Sequence, residues 1–167
     1  MSGGFVASAV AAGALLALLG HHGASGKTAG AYLAVPAGSS YTPASWAAAL
    51  LSAGGWPQTR CNLSAVTAWE QAEGGNWQNT AAYNPLNTTY DDNGRWEAQG
   101  LVTATINSPG VRAYSSWQTG FTATLTVLGN GLYGPILAAL SSGGNAQAVA
   151  DAVAGSPWGT SPFQASC

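Results

Sequence analysis

Apolar side chains recur at three- and four-residue intervals in five stretches, and these predict five helices. Trp46, Leu50 and Leu51 form the first stripe, behind the helix-starting pair Thr42-Pro43 and ahead of Gly54-Gly55. Leu63, Val66 and Trp69 form the second, which Thr59 or Asn62 can cap and which ends near Glu73. Phe121, Leu125 and Leu128 define a third helix from about Ser116, broken by Gly129-Asn130-Gly131. Leu132, Ile136, Leu137 and Leu140 define a fourth, broken by Gly143-Gly144, and Asn145 caps a fifth that runs to about Ala154 with Ala146, Val149 and Val153 inward.

Between the second and third stripes the helical period disappears. Tyr90-Asp91-Asp92-Asn93-Gly94-Arg95-Trp96 carries turn chemistry, and Leu101 to Ile106 is short and β-branched. Together they predict a small β-hairpin or irregular lobe of 20 to 25 residues, closed by Pro109-Gly110. The expected fold class is therefore mainly α, with one small lobe inserted after the second helix.

The first 40 residues have a different character. Phe5 to Leu19 is an uncharged, Ala/Leu-rich run of 15 residues, short for a membrane span and resembling the apolar core of an export signal, although no Lys or Arg precedes it. A buried or partner-bound helix is the alternative, and residues 5–19 are the candidate contact with a membrane or virion. Gly20 to Ser40 reads as a Gly/Ala/Ser-rich linker, so residues 1–40 are set apart from a domain at 41–167. Gly26-Lys27-Thr28 does not make a phosphate-binding loop, because His21 stands where that pattern needs Gly and no strand precedes it.

Charge then narrows the chemistry. Of 167 residues 47% are hydrophobic and only 6% charged, with four basic and six acidic side chains. No basic patch for nucleic acid is present. The two histidines, His21 and His22, lie in the linker, so neither a Ser-His-Asp site nor a His/Cys zinc site can form in the domain. No cofactor or metal is expected, and any hydrolysis must use carboxylates: Glu70, Glu73, Asp91, Asp92, Glu97 or Asp151. Cys61 and Cys167 are either free thiols or one disulfide tying the second helix to the C-terminus, which would suit an extracellular or virion setting.

Glu73 is the prime candidate. In the last turn of a helix the dipole disfavours an anion, and Trp69, one turn back, lowers the local polarity. Both push the carboxyl toward a proton-donating acid, and Gly74-Gly75 admits a ligand or another backbone. The alternative is a solvent-facing Glu followed by an ordinary glycine cap. Glu70, three residues earlier, either raises the pKa of Glu73, pairs with Arg60 or Arg112, or is simply solvated. Asp92 is the candidate second carboxylate, with Asp91 and Glu97 behind it, and both aspartates also suit a plain turn. Asn84 and Asn87, with Thr88 and Thr89, are candidates to bond sugar acetamido groups or to cap their own loop. Trp77 and Tyr83 are candidates for stacking on sugar rings, Tyr114 lines a cleft or sits in the core, and Trp158 is expected in the core.

Trp69-Glu70-Gln71-Ala72-Glu73-Gly74-Gly75-Asn76-Trp77 resembles the helix end of lysozyme-superfamily enzymes, where the acid Glu closes a helix ahead of small residues. Asn84-Pro85-Leu86-Asn87 is similar to the Asn-Asn-Leu-Phe segment of the bacterial glucosaminidase family of autolysins. Val111-Arg112-Ala113-Tyr114-Ser115-Ser116 resembles that family's F-x-x-Y-x-S lead into a helix, and Leu132-Tyr133-Gly134-Pro135-Ile136 falls at its Tyr-containing helix. Ala152 to Phe163 falls at its closing loop but lacks the usual Tyr-Ala-Thr-Asp. In resuscitation-factor domains Gly-Gly-Asn-Trp follows a Glu placed one residue earlier, where this chain has Ala72. Across Thr42 to Phe163 the resemblance implies a lysozyme-like helical domain. It also implies cleavage of the β-1,4 glycan of peptidoglycan with Glu73 as the acid, by a secreted, cell-surface or virion-associated protein of a bacterium or a phage. A non-catalytic wall-binding or virion protein of the same fold is the alternative.

Overall fold

A computed structural model describes residues 40–74, 79–107 and 109–167. The expectations for residues 5–19, for the linker up to residue 39 and for Trp77 lie outside the described residues. Those described residues form six helices and two strands: α1 (Pro43–Gly54), α2 (Arg60–Gly74), α3 (Arg95–Ala98), β1 (Val102–Thr105), β2 (Arg112–Tyr114), α4 (Trp117–Leu128), α5 (Gly134–Ser142) and α6 (Ala146–Ala154). The fold is mainly helical with one small antiparallel β element.

The helix ends follow from their capping residues. The Thr42 hydroxyl accepts from the Ser45 amide at 3.2 Å, while the Ser45 hydroxyl accepts from the Thr42 amide at 2.9 Å, a reciprocal box ahead of Pro43. Thr59 caps α2: its hydroxyl accepts from the Asn62 amide at 3.1 Å and donates to the Gly143 carbonyl at 2.6 Å. Asn62 is buried and donates to the carbonyls of Pro57 at 2.8 Å and Leu140 at 2.7 Å. Side-chain bonds thus fix the start of α2 to the turn between α5 and α6.

Trp46, Leu50 and Leu51 pack with Val66, Trp69, Phe121, Leu128, Ile136, Leu140, Val149 and Val153 in the main core. Trp46 and Phe121 stack at 5.3 Å between ring centroids. Leu132 departs from the expected pattern: it is 61% exposed and precedes α5. Pro135 explains this, because proline fits the first turn of a helix and so places the helix start after Leu132.

The lobe forms where expected but with a different internal order. The turn chemistry at Asp91–Gly94 leads into the single-turn helix α3 instead of a hairpin. Asp91 accepts from the Gly94 amide at 2.8 Å, and Asp92, Asn93 and Gly94 all take left-handed backbone conformations. The strand partner of β1 is Arg112–Tyr114, beyond Pro109-Gly110, with Thr105 opposite Arg112 and Val102 opposite Tyr114. A bulge lies between Val102 and Ala104, and a second small core gathers Val102, Tyr114 and Ala123, with Tyr90 and Trp96 against them.

The two cysteines form a disulfide, Cys61–Cys167. Three further contacts order the C-terminal tail along α2. Ser64 donates to the Ser166 carbonyl at 2.6 Å, Trp69 Nε1 donates to Thr160 Oγ1 at 3.1 Å, and Thr160 donates to Glu73. The tail therefore runs antiparallel to α2. Residues 61 to 73 rise about 18 Å along a helix, and the seven steps from residue 160 to residue 167 span about 23 Å when extended. From the other side Gln147 of α6 binds the tail, accepting from the Ala165 amide at 3.0 Å.

Candidate functional site

Glu73 sits in the last turn of α2, partly buried, between two loops. From one side comes the loop of residues 79–89. Asn87, with φ at 53°, donates through Nδ2 to the Glu73 main-chain carbonyl at 2.7 Å and to Glu73 Oε2 at 3.1 Å. From the other side comes the tail, where the Thr160 hydroxyl donates to Glu73 Oε1.

The directions of these bonds form a consistent chain. Asn79 Nδ2 donates to the Asn84 carbonyl at 3.0 Å and so must be the amide nitrogen. It also donates to Asn87 Oδ1 at 3.1 Å, which turns the Asn87 amide nitrogen toward Glu73. On the tail side, the indole of Trp69 can only donate, so Thr160 accepts from it, and the Thr160 hydroxyl donates to Glu73. Burial raises the pKa of Glu73 above the ordinary carboxylate value. The bonds from Thr160, Asn87 and Trp69 act in the opposite direction, and burial prevails. Trp69 therefore opposes the proton-holding tendency it was expected to support, because it presents a polar N–H as well as an apolar face.

Asn84 and Tyr114 hold the scaffold of the site. Asn84 is buried, and its amide nitrogen donates to the carbonyls of Thr88 at 2.8 Å and Arg112 at 2.7 Å while its oxygen accepts from the Thr88 amide at 2.9 Å. Both of its amide hydrogens are engaged within the fold, so the expectation that Asn84 bonds a sugar gives way to a structural role. Tyr114 is likewise buried. Its hydroxyl donates to the Tyr90 carbonyl at 2.9 Å and shares a 2.8 Å hydrogen bond with Thr88, and burial pushes its pKa up to about 12. Of its two expected places, it takes the core. Thr88 spends its hydroxyl on Tyr114 of β2, whereas Thr89 is exposed.

Tyr83 remains open to solvent, 38% exposed, in a left-handed conformation at φ 58°. Its ring meets Trp117 edge-on at 5.2 Å. Gly120 of α4 makes this approach possible, since a Cβ there would lie 1.9 Å from the Tyr83 carbonyl oxygen. Trp158 is half-buried, edge-on to Trp69 at 4.9 Å and to Tyr133 at 5.2 Å, and donates to the Leu86 carbonyl at 2.9 Å.

The other carboxylates have separate engagements. Asp92 pairs with Arg95 at 3.2 Å and Asp91 with Arg112 at 2.7 Å, so both serve the lobe's turn and neither is among the hydrogen-bond partners of Glu73. Asp151 accepts from Gln147 at 2.8 Å on α6. Glu97 is exposed on α3.

Glu70 differs from every expectation for it. It is 1% exposed, neither carboxylate oxygen has a hydrogen-bond partner among the described residues, and Arg112 is taken by Asp91. Burial pushes its pKa up to about 9, so it is a neutral acid at pH 7. It stands four residues after the buried Val66, on the apolar side of α2.

A groove of about 560 Å³ runs along the outer face of α2 between Arg60 and Gln71, and Glu73 is not among its walls. No group of three or more His, Cys, Asp or Glu side chains that could hold a metal is assembled among the described residues, and no helix there is long and apolar enough to cross a membrane. Thr160 is the residue beside Glu73 that the sequence did not single out. Its signal was indirect: a polar residue between Gly159, at φ 89°, and Ser161-Pro162, on a tail that a disulfide ties to the helix of Glu73. The chain matches no family model, no curated protein and no solved structure.

Proposed function

We propose that this chain is a lysozyme-like glycoside hydrolase that cleaves the β-1,4 glycan of bacterial peptidoglycan, with Glu73 as general acid. The observation that carries the proposal is the environment of Glu73. A carboxyl group at a helix end, partly buried and raised in pKa, has each oxygen held by a side-chain donor from a separate loop. A general acid needs both properties, a proton retained near neutral pH and a fixed direction of delivery. The resemblance of residues 69–77 and 84–87 to lysozyme-superfamily and autolysin segments names the substrate class. In the reaction Glu73 protonates the glycosidic oxygen as the bond to the anomeric carbon breaks; water then adds to that carbon, and the proton it loses returns Glu73 to its acid form. Asn87 and Asn84 act in this scheme by shaping the loop beside the acid, and exposed Tyr83 is the aromatic surface offered to a sugar ring.

The Cys61–Cys167 disulfide fits an oxidising setting, in keeping with a secreted, cell-surface or virion-associated protein. One observation favours the second reading, a wall-binding or virion protein with the same fold: Asp91 and Asp92 are both committed to arginines in the lobe. Incubation of the purified protein with purified cell walls of several bacterial types separates the two. Falling turbidity with release of new reducing ends supports the hydrolase, whereas co-sedimentation with walls and no new reducing ends supports the binding protein.

A further inference from the structure

The tail does more than close the fold, because it brings a hydroxyl to the carboxyl group of Glu73. Thr160 is buried, 7% exposed, and its Oγ1 lies between the Trp69 indole and the Glu73 carboxyl. The Trp69 indole donates to it, and Glu73 Oε1 is the acceptor of its own proton. Oε1 is thereby engaged by a directed donor. Oε2 is held less firmly, since the Asn87 amide is shared with the Glu73 carbonyl at 2.7 Å and reaches Oε2 at 3.1 Å.

We propose that Thr160 is a positioning residue for Glu73: its hydroxyl, oriented by the Trp69 indole, keeps Oε1 as an acceptor and leaves Oε2 as the oxygen that carries and releases the proton. This rests on Glu73 as the proton donor in the reaction, but the arrangement itself is measurable without substrate. Glu70, three residues earlier on α2, is the nearest titratable side chain in sequence, and no ion pair reaches Glu73 among the described residues. The Thr160 hydroxyl and the Asn87 amide are the side-chain donors within hydrogen-bond distance of its carboxylate, and the Trp69 indole acts on it in the same direction more weakly. Removing the hydroxyl removes an interaction that favours the anion, so Glu73 should titrate at higher pH.

The test is a carbon-13 NMR titration of the Glu73 carboxyl in the full chain, alongside the pH profile of wall hydrolysis. Thr160→Val is expected to raise the Glu73 midpoint by about one pH unit and to move the alkaline limb of the activity profile by the same amount. Thr160→Ser is expected to restore both. Trp69→Phe, which keeps an aromatic ring and deletes the indole N–H, should raise the midpoint by a smaller step, and Thr160→Ala replaces the valine variant as the deciding measurement if that variant does not fold. The proposal is overturned if folded Thr160→Val titrates at the wild-type midpoint, if Thr160→Ser shifts as far as valine does, or if Trp69→Phe has no effect. A wild-type protein that hydrolyses no wall, yet shows these shifts, refutes the glycosidase reading and leaves the positioning role of Thr160 in place.

Discussion

Asn87 binds Glu73 twice with one amide nitrogen, to the main-chain carbonyl at 2.7 Å and to the carboxylate at 3.1 Å. It closes the end of α2 and orients the Glu73 carboxyl in a single contact. Glycine keeps the left-handed backbone that Asn87 adopts at φ 53° while deleting the amide. Asn87→Gly should therefore fold and lose about tenfold to a hundredfold in wall hydrolysis, the value of a hydrogen bond to a charged group. Hydrolysis rates compared on samples with matched circular dichroism check this, and unchanged rates would remove Asn87 from the site.

Glu70 makes the stability of the protein depend on pH. Its folded pKa is raised from 4.5 to about 9, so above the unfolded value the folded chain holds a proton that the unfolded chain releases. Stability is then greatest below pH 4.5 on this account and falls as pH rises toward 9, by at most about 1.4 kcal/mol per pH unit for one group. Glu70→Gln keeps the shape and removes the titration. Urea unfolding between pH 5 and pH 9 should show a flatter dependence and a more stable protein at pH 8 for the variant. Equal slopes for both proteins would mean that Glu70 ionises normally.

Gly120 and Tyr83 are held together by the absence of a side chain. A Cβ at position 120 would stand 1.9 Å from the Tyr83 carbonyl oxygen, so Gly120→Ala must displace the loop or α4. The expected cost is about 2–3 kcal/mol, read by urea unfolding. Because the same loop carries Asn87, hydrolysis should fall as well. A variant of wild-type stability would show that the loop yields freely.

Reduction of Cys61–Cys167 opens a loop with a sequence separation of 106 residues. In the chain-entropy model a loop of this length contributes about 4.7 kcal/mol. Cys61→Ser/Cys167→Ser should lose most of that in urea unfolding. The tail also carries Thr160, so the variant's hydrolysis rate at 25 °C should drop while the helix signal persists. Full activity without the disulfide would show that Phe163, Ala165 and the bonds to Gln147 hold the tail unaided.

Much of this architecture was legible in the sequence, for identifiable reasons. Thr42-Pro43 and Gly54-Gly55 bound α1 because capping chemistry is local, and Glu73 falls at the end of α2 because two glycines follow it. Long-range pairing was less accessible. The β-branched run at 101–106 showed that a strand exists, but only the packing of Tyr114 against Val102 shows that its partner lies at Arg112–Tyr114. Glu70 was misjudged because its charge was weighed above its place four residues after Val66, on the buried side of the helix. Asn84's bonds to Thr88 are local and fit the loop-capping alternative, but its bond to the Arg112 carbonyl 28 residues away, like the contact of Thr160 with a carboxylate 87 residues away, carries no local mark.

Two carboxyl groups three residues apart on α2 are both raised in pKa by burial, but only one is held by donors from two loops. The release of reducing ends from purified peptidoglycan, measured side by side for the wild type, Glu73→Gln and Glu70→Gln, tests the central claim. The expected result is a loss of at least about a hundredfold for Glu73→Gln, the scale of a missing general acid, with Glu70→Gln close to wild type. Full activity in Glu73→Gln, or loss confined to Glu70→Gln, would contradict the assignment of the acid.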